Sequence, residues 1–333
     1  MIKSYIASLV TKAQDDAFLL NFRPTSLQDI IGRNEQKKLF SIMIQSIKKR
    51  QQKGEKVALD HILFYGPPGL GKTTFARVIA NELGAKLVST SGVSLTKPID
   101  LVSILTNLEP GDVLFIDEIH RLRRNLQEVL YTAMEDYKVD IIIGEGMGAN
   151  TTTMQLSPFT LIGATTNIGL LTGPLRDRFG VIQHLSFFDE EDIFYIVKKA
   201  SLKDNLNISD DAIWEIAKRS RGTARIGIRL YKRVKDYAQY HDVENIDKSI
   251  VLKTMQMLNI DPLGLDSLDK RILRVIFEDF NGGPVGLKSV SAVLGEDLQT
   301  IQIVHEPYLV RIGFLKRTPR GRVITEAGIK HIS

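Results

Sequence analysis

Residues 61–74 read His61-Ile62-Leu63-Phe64-Tyr65-Gly66-Pro67-Pro68-Gly69-Leu70-Gly71-Lys72-Thr73-Thr74. A short apolar run suited to a buried strand leads into G-x-x-x-x-G-K-[ST], and the spacing of residues 73–81 predicts a helix after it. Strand, glycine turn and helix in that order gather backbone N–H groups and a helix N-terminus around phosphate oxygens. The candidate nucleotide-binding residues are therefore Gly66, Gly69, Leu70, Gly71, Lys72, Thr73 and Thr74. Lys72 is suited to the β- and γ-phosphates and the Thr73 hydroxyl to Mg²⁺. A glycine turn beside a surface lysine would share the spelling, but would not need the flanking strand and helix.

Further along, Val113-Leu114-Phe115-Ile116-Asp117-Glu118 is an apolar run that ends abruptly in two acids. Such a run is a buried strand delivering charge at its carboxyl end. In the same sheet as the phosphate loop, Asp117 would hold Mg²⁺ through water, while Glu118 would orient and polarise an attacking water. His120 and Arg121 follow closely, placed either to sense the site or to begin a solvated helix. Charge developing on the transferred phosphoryl group needs donors and cations nearby. Thr165-Thr166-Asn167 at the end of another predicted strand offers the donors. Arg176, Arg178 and Arg225 offer the cations, with surface ion pairs as the competing reading.

Around these motifs the chain alternates short apolar runs with helical patterns. Predicted strands at 61–65, 86–90, 113–116, 160–165 and 181–185 call for a mainly parallel sheet with helices on both faces. Gly144, Gly146 and Gly148 interrupt that alternation and suggest a hairpin or loop. Residues 189–258 read as wholly helical, with helix starts at Asp189 and around Ser209. Residues 259–264 read as a linker. Three apolar-periodic stretches and a basic hairpin around Thr318-Pro319-Arg320-Gly321 then outline a winged helix. Residues 48–56 read as a solvated basic loop. The expected domains are an arm at 1–20, an α/β ATPase core at 21–188, an all-helical lid at 189–259 and a winged helix at 260–333.

The 333 residues carry 44 Lys+Arg against 39 Asp+Glu, a net charge of +5, and no Cys. The missing Cys excludes disulfide scaffolds, thiolate metal sites and thiol catalysis. No apolar stretch is long enough to span a bilayer and no secretory signal stands out, so a cytoplasmic protein is expected. Basic residues cluster at Lys218, Arg219, Arg221, Arg225, Arg229, Lys232, Arg233 and Lys235, a run that reads mainly as a solvated helix face. A second cluster, Arg311, Lys316, Arg317, Arg320, Arg322 and Lys330, would bind phosphates irrespective of sequence if carried on a wing.

The series GPPGLGKTT, LFIDEIHRL, TLIGATT, PLRDRFG and RGTAR resembles the motif series of AAA+ ATPases. With AMEDY, MLNIDPLGLD and GFLKRTPRGR added, the chain resembles the RuvB family from about Phe22 to Thr325. That resemblance implies an ATP- and Mg²⁺-dependent hexameric motor that drives branch migration of Holliday junctions in recombination and repair. Its implied partners are duplex DNA, a RuvA-like junction-binding protein and a RuvC-like resolvase. It also assigns roles by position. Phe22, Arg23, Glu135, Asp136, Tyr137 and Phe188 would lie near the nucleotide. Thr166 would be sensor 1, Arg178 an arginine finger acting on a neighbouring subunit, and Arg225 sensor 2 acting within its own. Arg317 and Arg322 would contact DNA.

Departures from the family pattern are Asn167 for arginine, Phe188 for tyrosine, Ala224 for proline and Leu298 at a third DNA position. In Asn150–Gln155 the basic and isoleucine residues of the RuvA-docking hairpin are absent. Two rival readings are another AAA+ role, such as a clamp loader, and a DNA-binding regulator that uses ATP as a switch without turnover.

Overall fold

The computed structural model describes residues 18–143 and 150–333, and the chain divides into two compact units. One comprises Arg23–Gly66 and Gly71–Ser186; the other comprises Pro67–Leu70, Phe187–Ser333 and the described residues up to Phe22.

The first unit is built on five parallel strands in the order β2-β3-β6-β1-β7. They are β1 (Ile62–Tyr65), β2 (Leu87–Ser91), β3 (Val113–Asp117), β6 (Thr160–Thr165) and β7 (Val181–His184). The three central strands are apolar almost throughout and buried along their length, as strands covered on both faces must be. The edge strands β2 and β7 are only partly buried. On one face Phe64 of β1 stacks with Phe75 of helix Lys72–Leu83 at 5.4 Å, and both meet Phe40 of helix Asn34–Gln52. Gly163 in β6 is bare for a packing reason, since a Cβ there would press on Ile119, Phe179 and Leu63. Strands β4 (Lys138–Ile143) and β5 (Asn150–Gln155) pair separately as an antiparallel hairpin. The glycines at 144, 146 and 148 lie outside the described residues.

The second unit carries the lid and the winged helix. The lid helices are Glu190–Lys203, Asp210–Lys218, Ala224–Tyr240 and Lys248–Met257. Asp189, Ser209 and Asp247 cap three of them by accepting backbone N–H bonds. The region is not wholly helical: β8 (Asn207–Ile208) and β9 (Asn245–Ile246) form a short parallel pair. Gly222, with φ 64°, accepts from Phe188 N at 2.9 Å through its carbonyl. A side chain at Gly222 would collide with the Arg311 guanidinium and the Phe188 carbonyl. The winged helix packs Leu265, Ile272, Leu273, Val290, Ile301 and Leu309 into its own core. Its wing is β10 (Leu315–Thr318) against β11 (Gly321–Ile324), and Val285 bridges to Arg322 as a third edge.

Several expectations need correction. Helix Asn34–Gln52 runs through most of the expected basic loop, because Lys49 and Arg50 suit the negative end of a helix. Residues 1–17 of the expected arm lie outside the described residues; 18–21 are helical, with Phe18 packed on Phe22 at 4.9 Å. The expected linker at 259–264 is tied down, with Gly264 O accepting from Arg221 Nε at 2.7 Å. A final helix, Glu326–Ile332, follows the wing unannounced, capped by Thr325.

Candidate nucleotide site and nucleic-acid interface

β1 ends at Tyr65, and the chain turns through Gly66, Gly69 and Gly71, all at positive φ, before helix Lys72–Leu83 begins. L-residues avoid this backbone region, which is why glycine recurs here. A Cβ at Gly66 would also strike the Leu185 carbonyl. No side chain caps the new helix and no acid sits in its first turn, the setting in which helix N-termini hold anions. Lys72 is buried and donates to Gly66 O at 2.7 Å, folding its ammonium back over the loop. Thr73 and Thr74 are half-buried beside it. Gly66 N donates to Thr165 O at 3.2 Å, which fastens the loop to the end of β6.

Asp117 closes β3, and its Oδ1 accepts from Glu118 N at 2.9 Å. Glu118 then takes a left-handed backbone (φ 49°), an uncommon conformation for a residue with a Cβ. Gly92 packs so closely on the Glu118 carbonyl that a side chain there would collide with it. Glu118 Oε2 lies 3.2 Å from His120 Nε2, and His120 Nδ1 lies 2.9 Å from Thr165 Oγ1. Burial, aided by Arg121 and Lys72, holds the His120 pKa below its ordinary value against the opposing pull of Glu118 and Asp117. The buried hydroxyl at the end of β6 is therefore Thr165; Thr166 is half-buried just beyond it.

The arginines differ in their surroundings. Arg178 pairs with Glu135, donates to Pro174 O at 3.1 Å and lies 5.3 Å over the Tyr131 ring. None of these is a residue of the phosphate loop. Arg225, exposed in the first turn of its helix, backs Gly69 together with Thr223; a Cβ on Gly69 would meet Arg225 Cβ at 3.3 Å. Tyr137 caps helix Arg124–Asp136 with its ring against His61 and Phe159, and its carbonyl is taken by Leu156 N. The Phe22 ring lies edge-on to Tyr231 at 6.2 Å, while Phe188 is buried and Arg23 half-buried.

The two basic clusters do not behave as single faces. Arg219 is buried and paired with Glu215. Arg221 is buried too, bonded to Asp266 at 3.0 Å, to the fully buried Asp269 and to Gly264 O. Among the described residues the single cluster of metal-ligating type, Asp266, Asp269 and His305, thus encloses a guanidinium. Lys232 and Lys235 lie over the Phe18 ring. In the second cluster Arg311 stacks 4.5 Å from Phe187. Sequence periodicity gave no sign of these partners. Arg317 and Arg322 do stand on the wing, with side chains 52% and 22% exposed.

A glycine loop that bares a helix N-terminus, a buried lysine behind it and an Asp-Glu pair at the end of the next parallel strand but one define a P-loop ATPase, and the helical lid makes it one of the AAA+ class. Residues 22–185 match the family described as the Holliday junction DNA helicase RuvB P-loop domain. Residues 188–261 match the RuvB AAA lid domain and residues 262–333 the RuvB C-terminal winged helix domain. The chain belongs to the RuvB family.

Among its relatives, the Holliday junction branch migration complex subunit RuvB of Trichormus variabilis is 50% identical over 312 residues, 94% of this chain and 84% of that one. The subunit of the same name from Latilactobacillus sakei is 48% identical over 328 residues, 97% of this chain and 96% of that one. The solved structure of the Thermotoga maritima RuvB Holliday junction branch migration motor superposes with a TM-score of 0.83 at 48% identity, covering 93% of this chain and 98% of that chain.

Proposed function

We propose that this protein is an ATP-driven motor that works as a hexameric ring, pumps duplex DNA and drives branch migration of Holliday junctions. One observation carries the chemistry: the acids at the end of β3 and the phosphate loop after β1 are both fastened to β6, the strand between them. The donor set suits a triphosphate with a hard cation, because it combines an uncapped helix N-terminus and an ammonium with hydroxyl and carboxylate oxygens.

When bound, Mg²⁺ would neutralise charge on the β- and γ-phosphate oxygens. Thr73 would ligate it directly and Asp117 through water. Lys72 would draw the phosphates onto the loop, and Glu118 would orient the attacking water and take its proton. Thr166 would read the γ-phosphate, Arg225 would steady it from the same chain, and Arg178 would reach a neighbouring subunit's nucleotide. Phe22, Arg23, Glu135, Asp136, Tyr137 and Phe188 would complete the surroundings. With Arg178 supplied in trans, an isolated subunit would hydrolyse ATP poorly and the ring would fire in sequence.

The proposed division of the chain is a core at 21–188, a lid at 189–259 and a winged helix at 260–333, with Arg317 and Arg322 on the backbone of duplex DNA. A RuvA-like protein would load the ring on a junction and a RuvC-like resolvase would cut the product. Met154, 40% exposed, is the one large apolar side chain that Asn150–Gln155 offers to such a loader. The setting is the cytoplasm; no described helix is long and apolar enough to cross a membrane.

The test is dissociation of a synthetic four-way junction with ATP or a non-hydrolysable analogue, with and without a RuvA-like protein. Product is expected with ATP alone of the two nucleotides. DNA-stimulated hydrolysis without product in any arm would overturn branch migration.

A further inference from the structure

Glu118 does not stand by itself at the end of β3. His120 Nε2 lies 3.2 Å from Glu118 Oε2, a charge contact in which the carboxylate can only accept. On the other side of the ring Nδ1 is hydrogen-bonded to Thr165 Oγ1 at 2.9 Å, and that hydroxyl also reaches Asn167 O at 3.1 Å. Thr165 Oγ1 in turn accepts from Asn167 N at 3.0 Å. Nδ1 anchors the ring to Thr165 while Nε2 faces the carboxylate, and the ring side chain is only 8% exposed against 39% for that of Glu118. A buried ring, anchored on Thr165, therefore sits against a half-exposed carboxylate.

A purely structural tie between β6 and the turn after β3 would need only the Thr165 bond. The second contact, to a half-exposed carboxylate, adds little to stability. It does fix where that carboxylate points. Thr165 also gives its carbonyl to Gly66 N, so the same residue touches the phosphate loop on one side and the imidazole on the other. We infer that His120 is the positioning residue for Glu118: it sets the direction of the carboxylate and, through Thr165, keys that direction to the end of β6 and the phosphate loop. The inference rests on Glu118 being the base that prepares the attacking water.

The test compares His120→Asn with His120→Gln in the full chain, measuring steady-state ATP hydrolysis with duplex DNA. The Asn amide occupies roughly the place of Nδ1 and keeps the Thr165 bond without reaching Glu118. The longer Gln amide reaches toward Glu118. His120→Asn is expected to lower kcat by up to about 10²-fold, the scale of a misplaced reacting group, with KM unchanged because the ring contacts Glu118 and Thr165 and no residue of the phosphate loop. His120→Gln is expected to recover part of that loss. Thr165→Val should lower kcat in the same direction, and its effect should not multiply with that of His120→Asn, because both break one chain of contacts.

Wild-type kcat in both His120 variants, or a rise in KM at constant kcat, would overturn the inference, as would independent multiplication of the Thr165 and His120 effects. Glu118→Gln is measured beside them. Full turnover there removes the base and with it both readings. Loss there, with wild-type kcat in the His120 variants, removes the positioning role alone.

Discussion

Arg317 and Arg322 face each other in register across the wing, and both donate Nε to the same oxygen of Glu306, at 2.7 and 2.8 Å. Two like charges directly opposite on a hairpin repel. The shared carboxylate, itself fully buried, lets them stand side by side, and Arg322 Nη2 also donates to its second oxygen at 3.2 Å. A pair spaced this way suits two phosphates and reads no base. Replacing both by Ala is expected to weaken duplex binding and to flatten the plot of log affinity against log salt by up to about 1.8, two contacts at about 0.9 each. Fluorescence anisotropy across a salt series measures it; an unchanged slope would rule out the wing as a phosphate contact.

Glu306 should matter more to folding than either arginine. Removing it leaves two guanidinium groups against an emptied buried site, and breaking a buried pair in this way costs on the order of 3 kcal/mol. Arg317→Ala removes a half-exposed partner and is expected to cost less than about 1 kcal/mol. Denaturant unfolding of Glu306→Ala, Glu306→Gln and Arg317→Ala gives the order directly, with Gln between the other two. Equal losses in Glu306→Ala and Arg317→Ala would contradict the arrangement.

Arg178 rests on Glu135, Pro174 and Tyr131 of its own chain, yet its proposed work is in a neighbour. Alone, Arg178→Ala should lower turnover by about 10³-fold or more, as loss of an arginine finger does elsewhere. Lys72→Ala should be comparably inactive. Mixed together, the two variants are expected to regain part of the activity. A Lys72→Ala protomer still offers its arginine to a neighbour whose phosphate loop is intact. ATPase assays over a range of mixing ratios decide it: no recovery at any ratio would place the arginine in its own subunit's site.

Acid should loosen the lid and winged-helix unit. Burial alone would raise the Asp266 pKa, but the Asp269 N–H, Arg221 and His305 outweigh it and hold the group below its ordinary value. Asp261 is likewise pushed up by burial and drawn below its ordinary value by His331, the Leu265 N–H and Lys270. A depressed carboxylate stabilises the fold fully above its unfolded pKa, about 3.9, and loses that contribution as pH falls through the folded value. Stability followed by urea unfolding should therefore fall below about pH 4, and Asp261→Asn or Asp266→Asn should flatten that fall. A fall of the same steepness in both Asn variants would assign it to other groups.

The phosphate loop and the Asp117-Glu118 pair were legible because each is local: a glycine pattern at fixed spacing, and an apolar run ending in acids. The central strands followed from continuous apolar runs. What escaped notice depends on partners distant in sequence. Arg219 and Arg221 look like members of a solvated basic run, and nothing near Arg221 announces that Asp266 and Asp269 will close around it. Arg311 reads as part of a phosphate-binding set until Phe187 is seen beneath it. His120 reads equally as a site residue or a helix start, since its partner Thr165 stands on a strand reached 45 residues later. The last helix was missed because Glu326–Ile332 is too short for its period to show.

Gly222 leaves no spare room. To admit even a methyl group, the Phe188 carbonyl must back away, straining the start of the lid, and the Arg311 guanidinium must shift from its place over the Phe187 ring. Any replacement would work as a wedge driven into a closed seam. Attempts to breed faster or hardier versions of this engine can vary much of its outer surface, but they will have to leave that one bead of the chain bare.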